Sequence, residues 1–309
     1  MLNIDIKRIE IVTTRACSSK CKHCSVDLDD SDKGGINAQK AIVAIKKLTD
    51  RYNVETIMTF GGEPLLYAET VCKIHSAARD CGIEGRAVIT NGFFSRNAER
   101  IKHVAASLAA SGVDNIYLSV DAFHQEHVPI NFVTQFAEAV LKQKIPTFRV
   151  HPAWLVNKDN ENSYNEETKR LLTIFEDMGI ETSSGNDIFP AGNATKYLGE
   201  YFNTPTREMD LSIPCGEMPY TAPPNEVECV SIEPNGDLSL CSFAIGNIYE
   251  EDVLEILDRY DPYSNPITLA LIKGGAAGLL SYAESVGITV DTSDCYSACQ
   301  VCKKIMKKL

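Results

Sequence analysis

The chain has 309 residues, of which 44% are hydrophobic and 23% are charged, a composition typical of a globular protein with a buried core. Its formal net charge of −12 argues against the basic surface that nonspecific nucleic-acid binding requires. The sequence has no uninterrupted run of about 18 apolar residues, and its N-terminal segment lacks the apolar core of a signal peptide. We therefore expect a cytoplasmic protein with no nucleic-acid or membrane partner.

Strand-like and helical segments alternate through the first two thirds of the chain. The strand-like segments are Ile4–Val12, Val54–Phe60, Arg86–Thr90, Asn115–Val120, Phe148–Val156 and Ile180–Phe189. The helical segments are one capped by Asn37, then Leu65–Cys81, Ala98–Ala110, Phe132–Lys142 and Asn165–Asp177. This alternation implies parallel strands joined by right-handed crossovers. Six units are too few for a complete eight-stranded barrel, but they can form an open, partial one.

Three cysteines, Cys17, Cys21 and Cys24, lie close together just after the first strand-like segment. Three thiols alone cannot close a tetrahedral structural zinc site, but they can hold three corners of a cubic iron–sulfur cluster and leave one iron open. The alternatives are a zinc knuckle completed by His23 or by a distant residue, and three unrelated thiols. The chain has 11 cysteines, and disulfides are rare in the cytoplasm, which favours metal binding.

Other unusual motifs follow the remaining predicted strands. They are Gly61-Gly62-Glu63-Pro64, Asn91-Gly92, Ser119–Asp121 and Pro190–Ala194. The carboxyl ends of parallel strands lie on one side of such a fold, and active sites collect there. We therefore expect these motifs to lie beside the three cysteines. Taken singly, each motif has an ordinary explanation, such as a turn at Gly61–Pro64 and a helix cap at Asp121.

The sequence changes character near residue 203, because prolines interrupt any long element beyond that point. Glu228–Ile232 and Asp237–Cys241 indicate a β-hairpin that turns at Gly236. Weakly helical segments then lead to a cysteine-rich tail. We expect a partial-barrel domain over residues 1–202 and a small hairpin-plus-helix module over residues 203–309.

The spacing Cys17-x3-Cys21-x2-Cys24, with Gly61-Gly62-Glu63-Pro64 after the second strand, resembles the radical S-adenosylmethionine (SAM) enzymes. The resemblance covers roughly Ile9–Ala194 and implies an α/β fold, a partial (β/α)6 TIM-like barrel. It implies that the three cysteines hold a [4Fe–4S] cluster and that SAM binds its open iron. The reduced cluster would cleave SAM to methionine and a 5′-deoxyadenosyl radical that abstracts hydrogen from substrate. An external donor such as flavodoxin or ferredoxin would supply the electron.

The resemblance also implies which residues contact SAM. His23 stands where the family has an aromatic ring before the last cysteine, and Glu63 can accept hydrogen bonds from an ammonium group. Gly61 and Gly62 would let the backbone approach the ligand closely. The other matching positions are Pro64, Asn91, Ser119, Asp121, Gly192, Asn193 and Ala194. Asn193 departs from the family pattern, which has an arginine at this position of the adenine-contacting turn.

The C-terminal cysteines resemble an auxiliary-cluster module of the SPASM or twitch type. The matching positions are Cys215-Gly216, Gly236, Cys241 and Cys299-x2-Cys302. They imply one auxiliary [4Fe–4S] cluster, because the central cysteine run that a second auxiliary cluster needs is missing. A zinc ribbon with the same four ligands, Cys215, Cys241, Cys299 and Cys302, is the alternative. Cys295 is an alternative ligand to Cys299.

A peptide substrate is also implied by resemblance. SPASM and twitch enzymes often modify peptides, and Ser119–Pro129 resembles a run found in small radical SAM peptide epimerases. In those enzymes a cysteine directly after the hairpin's cluster cysteine returns a hydrogen atom, but this chain has Ser242 there. Either Cys229 has taken over that role, or the substrate radical is oxidised or trapped. The second outcome suits carbon–carbon bond formation, carbon–sulfur bond formation or dehydrogenation.

His124 and His127 belong to the same run and are candidates for proton transfer, although solvated loop histidines are the ordinary alternative. We expect Cys229 and His124 to be the catalytic residues of a peptide-modifying radical SAM enzyme. One alternative is a maturase that acts on a folded partner protein. A non-enzymatic alternative is a zinc-binding or redox iron–sulfur module.

Overall fold

The computed structural model describes residues 1–25, 34–202, 209–218, 221–241 and 243–309. Ser242, the position of the family's donor cysteine, therefore lies outside the described residues. The first residues after the predicted boundary at 202 also lie outside them.

The strands within these ranges form one main sheet and one short pair. They are β1 (Asn3–Thr14), β2 (Thr56–Gly61), β3 (Gly85–Thr90), β4 (Asn115–Leu118), β5 (Thr147–Val150), β6 (Ala153–Trp154), β7 (Glu181–Thr182), β8 (Asn186–Asp187), β9 (Glu226–Ile232), β10 (Asp237–Leu240) and β11 (Phe243–Asn247). The main sheet has the order β11-β10-β9-β1-β2-β3-β4-β5-β7, and β6 pairs with β8. Its strands β1 to β5 and β7 are parallel and adjacent in chain order. The predicted α/β fold with a partial barrel is confirmed.

The last two barrel strands are each divided in two, where the sequence predicted continuous strands. Pro152 separates β5 from β6, and proline has no N–H group to donate to a ladder. Gly185 separates β7 from β8 and adopts a φ of +73°, a left-handed conformation that favours glycine. The two breaks match each other, because β5 pairs with β7 and β6 pairs with β8.

Helices follow the barrel strands as the alternating pattern predicted. They are α1 (Ala38–Arg51), α2 (Ala68–Asp80), α3 (Ala98–Ala110), α4 (Ala122–Gln125), α5 (Ile130–Leu141), α6 (Ser163–Glu176), α7 (Asn193–Leu198), α8 (Val253–Arg259), α9 (Pro266–Ser285) and α10 (Ala298–Met306). Short 3-10 helices span Pro64–Tyr67 and Gly199–Tyr201. Asparagine side chains at 37, 97 and 162 accept backbone N–H groups at the starts of α1, α3 and α6 and so fix where these helices begin.

The core lies between the outer face of the sheet and the helices. Alternate residues of β1, Ile9 and Ile11, are fully buried there, in one cluster with Ile45 of α1. Arg8 and Glu10 occupy the opposite face of the same strand, because successive side chains of a strand alternate in direction. The outer face is therefore apolar, while the inner face of β1 carries charge.

The C-terminal hairpin continues the barrel sheet. Strand β9 pairs in parallel with β1, so that Cys229 lies opposite Arg8 and Ser231 opposite Glu10. Strands β10 and β11 then follow in antiparallel order. The sequence predicted the hairpin, but neither β11 nor the pairing with β1. The buried residues Val230 and Ile232 of β9 extend the core of the first barrel strands, which explains the pairing.

Helix α9 is long and apolar enough, by length and composition alone, to span a membrane. It is kinked at Gly274 and Gly275, whose backbone angles are not helical. Its buried residues Leu271 and Leu279 pack in one cluster with Val301 of α10. The core helices of soluble proteins have the same length and composition, so the structure is consistent with a soluble protein.

Candidate functional site

The segment Cys17–Cys24, here called the cysteine loop, leaves the carboxyl end of β1 and is joined to the turn after β2. The N–H groups of Gly62 and Glu63 donate to the carbonyl oxygens of Thr14 (2.7 Å) and Ala16 (2.8 Å). A Cβ atom at Gly62 would lie 2.1 Å from the Ala16 oxygen, so this approach requires glycine. The approach of Gly62 to a ligand stays a prediction, and the structure adds that its missing side chain makes room for the backbone that leads into the cysteine loop.

Glu63 connects the same turn to the end of β3. Its carboxylate accepts hydrogen bonds from Leu65 N (2.9 Å), Thr90 Oγ1 (2.7 Å) and Asn91 N (2.8 Å). Glu63 is fully buried, and this burial raises the pKa of its carboxyl group. Three protein donors therefore hold the side chain that the sequence predicted as an acceptor for the SAM ammonium group, and they fix its orientation.

Asn91 reaches the cysteine loop from the end of β3. Its side-chain nitrogen lies 3.2 Å from Ser18 Oγ and 3.8 Å from Cys17 Sγ. Its side-chain oxygen accepts the N–H of Phe93 at 2.8 Å, which distinguishes the two ends of the amide. The neighbouring strand β4 leads to the buried Ser119. The structure thus places both predicted SAM-contacting residues beside the cysteine loop.

Asp121 forms a buried ion pair with His124 next to the cysteine loop. Its carboxylate lies 2.8 Å from His124 Nδ1 and also accepts the N–H groups of His124 and Ala153. Burial acts against ionisation, but His124 and His23 hold the pKa of the Asp121 carboxyl well below its usual range. Burial likewise opposes protonation of His124, yet Asp121 raises the pKa of this imidazole. The predicted proton-transfer residue His124 is therefore an ion-pair partner of Asp121.

The ring of His23 packs beside this ion pair. Its centroid lies 4.7 Å from that of His124 and 5.1 Å from that of Phe123. Burial lowers the pKa of His23 to about 4, so the ring is neutral near pH 7. Phe123 is itself fully buried and belongs to one apolar cluster with Cys21. Phe123 and His124, which follow Asp121, therefore pack against His23 of the cysteine loop.

The turn after β8 is hydrogen-bonded to the cysteine loop. Asn193 donates its backbone N–H to Cys24 O (2.9 Å) and its side-chain amide to Cys21 O (3.2 Å). A Cβ atom at Gly192 would lie 2.8 Å from the same Cys24 oxygen. Asparagine thus makes a contact to the cysteine loop at the position where the family has arginine. The adjacent Ala194 is fully buried.

Two thiols of the cysteine loop, those of Cys17 and Cys21, have hydrogen-bond donors suited to ligating sulfur. Ser19 N lies 3.4 Å from Cys17 Sγ, and Ser19 Oγ lies 2.8 Å from Cys21 Sγ. Burial raises the pKa of the Cys17 thiol to about 11, and it also raises the pKa of the Cys21 thiol. The hydrogen bonds with Ser19 lower both pKa values and so oppose this effect. Cys24 is near enough to both thiols to raise their pKa values further. Three neighbouring thiols, two of them with hydrogen-bond donors, fit a [4Fe–4S] cluster with one open iron.

Four further thiols, here called the auxiliary thiols, meet in the C-terminal region. They are Cys215, Cys241, Cys299 and Cys302, and they line a cavity of about 280 Å³. The other three auxiliary thiols each contribute to the raised pKa of Cys302, for which burial is the largest cause. Cys295 is fully buried in the apolar cluster of α9 and α10 and is not among the residues that line this cavity. The grouping fits the predicted ligand set, with Cys299 rather than Cys295 as a member.

Cys229 lines the same small cavity as the auxiliary thiols. Burial raises the pKa of this thiol to about 12, and the Glu10 carboxylate adds to the shift. Cys229 is therefore protonated near pH 7 and carries the hydrogen atom that a donor needs. Its role as a catalytic residue remains a prediction.

A larger cavity of about 710 Å³ connects the two groups of thiols. Its lining includes Cys17, Cys21 and Cys24 on one side and Cys241 and Cys299 on the other. The predicted residues that also line it are His23, Gly61, Gly62, Asn91, Ser119, Asp121 and His124. The site therefore combines the ends of the first four barrel strands with the C-terminal module.

The polar residues of this cavity that the sequence analysis missed include Arg8, Glu10, His151 and Lys303. Arg8 and Glu10 form an ion pair of 2.8 Å on the inner face of β1. The sequence could have indicated them, because they alternate with Ile9 and Ile11 along β1. A barrel whose interior is filled by apolar side chains does not usually have such charges on its inner face. His151 follows β5, and its Nδ1 lies 2.8 Å from Ser183 Oγ.

Sequence comparison identifies relatives for the barrel portion of the chain. The model of the radical SAM superfamily matches residues 11–190. A pre-heme d1 synthase from Dinoroseobacter shibae is 26% identical over 203 residues, covering 65% of this chain and 48% of the relative. A probable GTP 3′,8-cyclase from Methanocaldococcus jannaschii is 28% identical over 122 residues, covering 40% and 39%. The chain thus spans about half the length or less of these two curated relatives.

Structural comparison extends over nearly the whole chain. The structure of anSMEcpe with bound AdoMet and the Cp18Cys peptide has a TM-score of 0.55 and 13% identity, covering 97% of this chain and 95% of that one. SuiB of Streptococcus suis bound to SAM has a TM-score of 0.58 and 17% identity, covering 96% and 77%. At these identities the likeness concerns the fold. Because the family model matches more than half of the chain, the protein belongs to the radical SAM superfamily.

Proposed function

We propose that this chain is a peptide-modifying radical SAM enzyme with one auxiliary [4Fe–4S] cluster. The observation that carries the proposal is the 710 Å³ cavity, which is lined by the cysteine loop and by two of the auxiliary thiols. A substrate held there would contact both cluster sites. An auxiliary cluster that lies beside the substrate can exchange electrons with it, whereas a purely structural metal site needs no opening onto a reaction cavity.

The residues of the cysteine loop are proposed as ligands of the SAM-binding cluster, and the auxiliary thiols as ligands of the second cluster. When bound, the first cluster and SAM together supply a 5′-deoxyadenosyl radical that abstracts a hydrogen atom. Glu63 and Asn91 hold the cysteine loop and the turn after β2 in a fixed relation before any ligand binds. His124, paired with Asp121, packs against the His23 ring of the loop. These contacts preorganise the open corner of the site.

A peptide substrate is supported by structural relatives and by the chemistry of the cavity. anSMEcpe is known with bound Cp18Cys peptide, and SuiB with its precursor peptide SuiA. Inside this cavity, Arg8 presents donors while Glu10 presents acceptors. A peptide group carries one acceptor and one donor and so matches such a pair. A nucleoside triphosphate would favour several unpaired cations, whereas the lysine and arginine residues of this lining are Lys303 and Arg8, and Arg8 is already paired.

The position of Cys229 bears on the fate of the substrate radical. Cys229 lines the small cavity with the auxiliary thiols, while its neighbour across the strands, Arg8, lines the large one. This arrangement favours an oxidative outcome, in which the auxiliary cluster accepts an electron and a carbon–carbon or carbon–sulfur bond or a double bond forms. Epimerisation is the competing reaction, with hydrogen returned by the Cys229 thiol.

Anaerobic reconstitution with iron and sulfide tests the proposal. We expect about eight irons per chain, four in each cluster, and release of 5′-deoxyadenosine when dithionite and SAM are added. The reconstituted enzyme is then incubated with SAM and with peptides encoded by short reading frames next to its gene. Mass spectrometry should show loss of two hydrogens for an oxidative reaction. Epimerisation instead leaves the mass unchanged in light water and adds about one dalton in deuterated solvent, since the thiol hydrogen exchanges.

Several results would refute parts of this proposal. Bound zinc without SAM cleavage would show a zinc module in place of an enzyme. SAM cleavage with about four irons per chain would remove the auxiliary cluster. Modification of a folded partner protein, with none of the peptides changed, would favour the maturase alternative.

A further inference from the structure

Two of the three sulfurs in the cysteine loop are approached by polar hydrogens of the protein. Ser19 Oγ lies 2.8 Å from Cys21 Sγ, and Ser19 N lies 3.4 Å from Cys17 Sγ. Asn91 Nδ2 lies 3.8 Å from the same Cys17 sulfur. Ser19 is only 4% exposed, so water has little access to compete for its hydroxyl group. The loop thus contains a serine whose backbone and side chain both face ligand sulfurs.

Ligation fixes the direction of the shortest of these contacts. In the metal-free loop either Ser19 or Cys21 can be the donor. A cysteine that binds iron is a thiolate and has no hydrogen to donate. With the cluster bound, Ser19 Oγ must therefore donate to Cys21 Sγ. Within the described part of the chain this hydroxyl has no other hydrogen-bond acceptor.

We propose that Ser19 is a positioning residue whose hydrogen bond to Cys21 raises the reduction potential of the SAM-binding cluster. The inference rests on the proposed function, in which Cys17, Cys21 and Cys24 are the ligands. Reduction transfers one electron from an external donor, such as flavodoxin or dithionite, to the cluster, and the donor is oxidised. The added negative charge spreads over the sulfurs, and a hydrogen bond to a ligating sulfur stabilises it. Burial strengthens this effect, because water screens it little.

The test compares Ser19→Ala with Ser25→Ala in the reconstituted chain. Both changes remove one serine hydroxyl near the ligands, but Ser25 is exposed and has no contact to a sulfur among the described residues. Midpoint potentials are measured by redox titration followed by electron paramagnetic resonance (EPR). The signal that changes when SAM is added belongs to the cluster with the open iron. Ser19→Ala should titrate at a more negative potential, and Ser25→Ala should match the wild type.

A conservative variant and a change of reductant sharpen the result. Ser19→Thr keeps the hydroxyl and should restore the wild-type potential. With flavodoxin as the reductant, Ser19→Ala should form 5′-deoxyadenosine several-fold more slowly than the wild type. With excess dithionite the difference should narrow, because the stronger driving force compensates for the lower potential. A midpoint potential unchanged in Ser19→Ala overturns the inference. So does loss of iron from this site, because the hydroxyl would then serve cluster assembly.

Cys21→Ala separates this inference from the proposed function. If the SAM-responsive EPR signal persists in Cys21→Ala, the ligand assignment itself is wrong. If that signal is lost in Cys21→Ala while Ser19→Ala titrates like the wild type, the ligand assignment stands and only the role of Ser19 is refuted.

Discussion

The two groups of thiols are held by different means. The cysteine loop carries three thiols in one short segment, and hydrogen bonds from Asn91 and Asn193 hold it against the turns after β3 and β8. The auxiliary thiols come from three segments that are far apart in sequence, at Cys215, at Cys241 and in α10 at Cys299 and Cys302. Protein contacts therefore preorganise the first site.

The second site depends more on its metal. Bringing distant segments together costs chain entropy, and a cluster that bonds to all of them offsets this cost. Cys241 also adopts a φ of +55°, a left-handed conformation that is unusual for a residue with a side chain. Under the proposed function, we therefore expect SAM cleavage to depend on the barrel alone and the auxiliary site to govern what happens to the substrate radical.

The largest effect is expected for Cys21→Ala. Three thiolates are the minimum for the SAM-binding cluster, so loss of one should reduce 5′-deoxyadenosine formation to background. About four irons should remain per chain, bound by the auxiliary thiols. Product analysis by liquid chromatography and an iron assay measure both quantities. Cys72→Ala, in helix α2, is the matched control and should keep full activity. Persistent SAM cleavage in Cys21→Ala would contradict the division between the sites.

Cys302→Ala should abolish peptide modification while leaving SAM cleavage intact. About four irons should be lost per chain, while dithionite-driven SAM cleavage continues. The modified peptide should disappear, because the substrate radical has no electron acceptor. Cys295→Ala, a neighbouring thiol outside the auxiliary group, should retain both activities. If Cys302→Ala also stops SAM cleavage, the two sites are coupled and the comparison fails.

Much of the first site could be predicted from the sequence because its residues follow strands in order. Cysteine spacing, the glycines after β2 and the polar residues after β3 and β4 all depend on local position. The sequence did not show that Gly62 is also required by the nearby Ala16 carbonyl group, because this contact joins two separate turns. The hydrogen bond from Asn193 to Cys21 O could not be predicted, because it joins residues far apart in sequence.

The C-terminal region was predicted less completely for a related reason. The hairpin is a local signal, but its parallel pairing with β1 is a nonlocal one. The sequence alone therefore could not predict that Cys229 lies beside Arg8. It also could not predict that Cys241 and Cys299 line the large cavity. Arg8 and Glu10 were visible as charged residues on β1, yet only the closed arrangement of strands shows that they face inward.

Removal of the metals should loosen the auxiliary region more than the barrel. In hydrogen exchange, segments 209–218 and α10 should exchange at least about tenfold faster in the metal-free chain, equivalent to about 1.4 kcal/mol of local opening free energy. Strands β2 to β4 should change little, since their contacts do not include the auxiliary thiols. Equal acceleration in both regions would show that the cysteine loop is not preorganised.

Gly62→Ala tests the protein contacts that hold the cysteine loop. The added methyl group would lie 2.1 Å from the Ala16 carbonyl oxygen, so the turn after β2 must move away from the loop. We expect a loss of about 2 kcal/mol in unfolding free energy, the order typical of overpacking. Chemical denaturation of the metal-free chain measures it. Gly274→Ala is the control, because a Cβ there meets no atom within 4 Å. Equal stability of the two variants would refute the argument.

The smallest effect is expected for Arg8→Gln, which tests whether the cavity between the two sites binds the peptide. Loss of a charge-assisted hydrogen bond of about 1.5 kcal/mol should raise the KM for the peptide roughly tenfold. SAM cleavage without peptide should stay unchanged, since Arg8 lies in the middle of β1 whereas the cysteine loop follows the carboxyl end of that strand. Lys7→Gln, a charged neighbour paired with Asp5, is the matched control. If Arg8→Gln instead lowers SAM cleavage and leaves the KM for the peptide unaltered, the ion pair supports the barrel and the substrate binds elsewhere.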